Sequence, residues 1–155
     1  MNNINTKFAV DMTDNNFEWV ATVDNVPVYI WAQAEFFGGG VCFWDPVNGY
    51  QIFVTREVYN NKKLYLAVLH HELAHAKNED PKRAVLSAIA AVERGEVVAN
   101  EPHVDVNEEI AADAYAKACG YGDTIKESLE NILENYDVEE KYAAIIKARI
   151  VALSK

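Results

Sequence analysis

Apolar and polar positions change their spacing once along the chain, near residue 60. Before it, β-branched and aromatic residues gather in short runs bounded by turn formers. "FEWVATV" (17–23) and "VPVYIWAQA" (26–34) read as strands joined by a turn at Asp24-Asn25. "VCFW" (41–44) and "QIFVT" (51–55) read as two more, with Pro46 and the Asn48-Gly49 pair in the loop between them. Gly38, Gly39 and Gly40 precede the third run, as a permissive turn or as a flap over a site.

From Asn61 onward the spacing is helical. Leu64, Val68 and Leu69 recur on one face ahead of a histidine-rich stretch. Asp80-Pro81 has the form of a cap followed by proline at the first helical position, and Gly95 closes that helix after Arg94. Residues 96–106 read as a loop. Asp105 then caps a helix running to about Cys119, with Glu108 placed for a capping box. Asp123 and Asp137 are read as caps of two further amphipathic helices, the last carrying Tyr142, Ile145, Ile146 and Ile150. The expected class is α+β: one domain, with a small antiparallel or mixed sheet followed by about five helices.

Composition narrows the functions. With half of its 155 residues hydrophobic and a quarter charged, the chain matches an ordinary globular protein. Twenty-four acidic residues against 14 basic ones give a net charge of −10, which disfavours nucleic acid and anionic membrane surfaces as partners. No signal peptide and no apolar run of membrane-spanning length is visible, so a cytoplasmic location is expected. Cys42 and Cys119 are expected to be free thiols.

The chemistry lies in "AVLHHELAHAKNED", residues 67–80, which holds three of the four histidines. His71-Glu72-Leu73-Ala74-His75 is an H-E-x-x-H sequence inside an expected helix. Residues four apart share a helical face, so both imidazoles reach one ion, and Glu72 is placed to contact a water on it. His70 lies about 100° round the helix and is expected in packing. Catalytic zinc takes three protein ligands and leaves a position open. The candidate for the third is Glu109 in "NEEIAADAYA". Asp113, one turn on, shares its face and can fix a ligand histidine through its outer nitrogen. Glu108 competes with Glu109, and Cys42 is a weaker candidate of a deformylase-like kind.

"HELAH" followed by "EIAAD" resembles the gluzincins, the thermolysin-like clan of zinc metallopeptidases, over residues 50–117. The resemblance implies a zincin-like fold and Zn2+ held by His71, His75 and Glu109. It implies Glu72 as general base, Asp113 as a hydrogen-bond support, and a peptide or protein substrate paired with the strand before the helix. It also implies an oxyanion donor, for which His103, Tyr115 and Tyr121 are candidates. A catalytically silent zinc domain of the same architecture is the alternative, and a metal-free helical domain with a chance motif is a third reading.

Overall fold

The computed structural model describes residues 16–97 and 104–155. Four strands come first: β1 (Glu18–Val23), β2 (Val26–Ile30), β3 (Gly40–Asp45) and β4 (Gly49–Val54). Six helices follow among the described residues: α1 (Arg56–Asn60), α2 (Lys62–Lys77), α3 (Asp80–Glu93), α4 (Val106–Ala118), α5 (Gly122–Asn135) and α6 (Glu140–Leu153). The class is α+β. The sheet is mixed, in the order β1-β2-β4-β3, with β2 and β4 parallel and the other two pairs antiparallel.

Turn chemistry fixes both hairpins. Asp24 and Asn25 take φ of 50° and 65°, the paired left-handed conformation of a tight β-hairpin turn. In the second hairpin the Asp45 carboxylate accepts from the backbone amides of Val47 (2.8 Å) and Asn48 (2.7 Å), folding the loop onto itself.

Alternation along β2 buries Val26, Val28 and Ile30 on the helical side, where they join Ile52, Val54, Leu69 and Leu73 in one core. α2 is thereby laid across the sheet. Asn61 starts it, its side chain accepting from the Leu64 amide at 3.2 Å. No helix among the described residues is long and apolar enough to cross a membrane.

Several expectations are corrected. The second strand ends at Ile30, and Ala32–Phe37 forms a 3-10 helix instead. β-branched residues stop at Ile30; Trp31 gives one last backbone bond to Val54 O at 2.9 Å, and its ring joins an aromatic cluster with Phe43 and Phe53. Asp123 and Asp137 do not cap. α5 starts at Gly122 behind Tyr121 and α6 at Glu140 behind Glu139, neither with a side-chain cap. Asp123 lies inside the first turn of α5, where its charge still meets the positive helix end.

The strand before the histidine helix, β4, lies inside the sheet, paired on both sides by β2 and β3. An extended peptide has no free ladder there. β3 forms the sheet border on the helix-α3 side, packed against α2 and α3, and β1 forms the other.

The triple glycine is a pinned corner rather than a flap. Gly39 donates to Ala34 O and accepts from Thr55 N, both at 3.0 Å. Gly40 opens β3 so close to α2 that a Cβ there would lie 2.3 Å from Val68 Cγ1 and 3.6 Å from Glu72 Oε1. Valine in a helix is held near one rotamer and cannot swing aside. Gly40→Ala is therefore expected to destabilise the protein by about 1–3 kcal/mol in urea unfolding. A midpoint equal to that of the parent would show that this approach is looser than described.

Candidate metal centre

His71, Glu72 and His75 occupy the second half of α2 and are all buried, at 7%, 7% and 9% exposure. α4 lies along α2, and both helices bury alanines, Ala67 and Ala74 on one, Ala112 and Ala116 on the other. Ala67 and Ala116 pack in a common cluster with Ile125, Leu129 and Leu153. Asp105 starts α4 by accepting from the amides of Asn107 (2.8 Å) and Glu108 (3.2 Å). That start sets the turn from which Glu109 reaches the histidines.

Three atoms then converge. Glu109 Oε2 lies 2.8 Å from His71 Nε2 and 3.2 Å from His75 Nε2, and the two Nε2 atoms are 3.2 Å apart. The group of His71, His75 and Glu109 can hold a metal ion. Glu108 points elsewhere, 3.6 Å from Arg83.

The outer nitrogens decide what the inner ones can do. His71 Nδ1–H donates to Asp113 Oδ1 at 2.8 Å, and His75 Nδ1–H donates to Asp80 Oδ2 at 2.8 Å. With each Nδ1 carrying the proton, each neutral imidazole keeps a lone pair on Nε2. Two nitrogen lone pairs and a carboxylate oxygen therefore face one another with no donor among them, so the centre needs a cation or extra protons. The spacing suits a tetrahedral ion. Bonds of roughly 2.0–2.1 Å imply ligand-to-ligand edges of roughly 3.3 Å, 1.63 times the bond length.

Protonation gives the same indication. Burial disfavours charge on both histidines. Asp113 and Glu109 nevertheless hold the pKa of His71 above its ordinary value, and Glu109 and Glu72 push that of His75 up to about 10. Burial would raise the Glu109 carboxyl, yet hydrogen bonding to both histidines takes it far below the usual carboxylate range. Glu72 moves upward: its burial outweighs the pull of His71 and His75.

No family model matches the sequence, and no curated protein does. Among solved structures, Ste24p from S. mikatae superposes with a TM-score of 0.51 at 14% sequence identity. The match covers 86% of this chain and 47% of that one, so the chain spans about half of that protein's length. The likeness is one of fold.

Two participants escaped the sequence reading. Asp80, expected as a cap, is instead the first residue of α3, with Glu79 before it in a left-handed conformation (φ 59°). That turn swings the Asp80 carboxylate onto His75, and Arg83 pairs with it. An acid five residues beyond the second histidine was the available signal. Arg149 on α6 grips Asp113 through two bonds, and nothing in "IIKARIVAL" announces it.

The other candidates go elsewhere. His70 Nδ1 lies 2.6 Å from Leu66 O, and its ring stacks on Tyr121 at 4.9 Å. The Tyr115 hydroxyl accepts from Lys77 Nζ at 2.6 Å. His103 lies outside the described residues. Cys42 is not in the metal-binding group. Its thiol is buried and free, raised well above its ordinary pKa by burial and by Glu72 and Asp80 nearby. Cys119 is free and exposed.

Proposed function

We propose that this chain is a zinc-dependent peptidase in which His71, His75 and Glu109 hold the metal and Glu72 is the general base. The observation that carries the reading is the convergence of two Nε2 lone pairs and one carboxylate oxygen within 3.2 Å of one another. Zinc, when bound, supplies a Lewis acid for the scissile carbonyl and lowers the pKa of a water toward neutrality. The other roles belong to the chain. Glu72 takes the proton of the attacking water and returns it to the leaving amine, a task suited to a carboxylate lifted by burial. Asp113 and Asp80 hold the imidazoles in the tautomer that presents Nε2. β3, at the sheet border beside Glu72, takes the place of β4 as the strand along which an extended peptide could lie. A net charge of −10 favours peptide over nucleic acid as the substrate.

A catalytically silent zinc domain is the second reading. It is favoured by one observation: the contacts of Tyr115 and Tyr121 are with Lys77 and His70 rather than with the ligand residues. Metal analysis of purified protein and cleavage of an unfolded protein, with chelator and with zinc restored, separate the readings. The peptidase reading expects about one zinc per chain and chelator-sensitive cleavage. Zinc without cleavage supports the silent domain, and no zinc removes both.

Asp80→Asn is expected to weaken zinc binding by about 10- to 100-fold, as losses of such supporting carboxylates do. A competing chelating dye measures it. Unchanged affinity would reduce Asp80 to a helix-start residue.

A further inference from the structure

Resting on the metal-centre reading, we infer that Arg149 is a positioning residue for the metal, acting through Asp113 on His71. Arg149 Nε donates to Asp113 Oδ2 at 2.8 Å and Nη2 to Oδ1 at 2.9 Å. His71 Nδ1–H donates to the same Oδ1 at 2.8 Å. Both carboxylate oxygens are thus committed, and the planar guanidinium fixes the orientation in which Oδ1 meets the imidazole.

Docking of α6 has support besides this pair. Ile146, Ile150 and Leu153 already pack with Ala67, Ala116, Ile125 and Leu129, and Lys117 Nζ donates to Leu153 O at 3.1 Å. Net stability is a weak reason for the pair. Asp113 is 1% exposed and the Arg149 side chain 16%, and burying a charge pair returns little net stabilisation once desolvation is counted. What the pair does supply is a rigid acceptor for the outer proton of His71.

The other flank is built differently. Arg83 sits one turn from Asp80 on the same helix, with its side chain 58% exposed. Arg149 reaches Asp113 from 36 residues along the chain and is enclosed. The His71 side is therefore held by tertiary structure, and the His75 side by a local, solvent-facing pair.

A double-mutant cycle on zinc affinity tests this, with Zn2+ alone titrated against a chelating dye. Arg149→Met should weaken binding by about 10- to 100-fold in the parent. In an Asp113→Asn background the same change should cost less than about threefold, because the acceptor it served has gone. Arg149→Lys keeps the charge without the fork and should fall between, and it carries the cycle if Arg149→Met does not fold. Arg83→Met should cost less than Arg149→Met. Parent-like affinity in Arg149→Met, or losses that multiply across the two sites, would overturn the inference, the latter marking Arg149 as a general structural tie. A parent protein that binds no zinc would overturn the metal-centre reading and this inference with it. A zinc-binding parent with indifferent Arg149 variants would overturn this inference alone.

Discussion

Glu72→Gln should remove peptide hydrolysis and leave the metal in place. The side chain is buried beside His71 and faces the corner where β3 begins, but its oxygens are not among the converging ligand atoms. Glutamine has the same shape and keeps a carbonyl oxygen, so the helix and both imidazoles stay put. It cannot take a proton from water. Loss of a general base costs roughly 10²- to 10⁴-fold in rate, so turnover of a fluorogenic peptide mixture should fall at least that far. Zinc content, read by mass spectrometry, should match the parent. A variant as active as the parent would remove Glu72 from the mechanism.

Glu109→Ala should abolish metal binding and, with it, the stability that metal supplies. The carboxylate is the part of the centre that α4 contributes, so its removal leaves two histidines on one helix and nothing to join the pair. At a hundredfold excess over the dissociation constant a ligand stabilises by about 2.7 kcal/mol. For a chain of this size that corresponds to a Tm shift of roughly 5–10 °C. The parent should lose that much on chelation, whereas Glu109→Ala should melt at one temperature with or without chelator.

The dependence on pH has a definite sign. Without metal His75 is pushed up to about 10, so protons occupy the centre at neutral pH and must leave when zinc enters. The Tm gain from zinc should therefore grow from pH 6 to pH 8. A gain that shrinks over that range would contradict the assignment of His75 as a ligand.

The parts of the centre legible in the sequence are those governed by arithmetic within a single helix. His71 with His75 and Glu109 with Asp113 are each one turn apart, which assigns their shared faces without any knowledge of the sheet. Local turns were equally readable, since Asp24, Asn25 and Asn48 carry their turn preference in short polar side chains and Gly49 in the lack of one. What escaped depends on tertiary structure. Asp80 reads as a cap until the left-handed Glu79 turn aims it at His75. Arg149 acquires its partner only when α6 docks. Strand order is likewise non-local, and so β4 reads as the substrate strand although β3 holds the border. The caps at Asp123 and Asp137 failed for a smaller reason: an acid near a helix start is favoured by the helix field whether or not it closes the first turn.

The alanines packed between α2 and α4 bear on how sequence change would act on the proposed metal centre. Coordination distances tolerate only about 0.2 Å of error. Glu109 reaches across the seam in which Ala67 of α2 and Ala116 of α4 pack together, both fully buried. If the proposed centre holds a metal, an added methylene at Ala116 should leave His71, His75 and Glu109 unchanged and still push the carboxylate out of range, which a chelating-dye titration of Zn2+ would show as lost affinity. Under the proposed function, tolerance at the centre would be governed by the thickness of a helical seam, and drift in that seam would cost metal affinity before any histidine was lost.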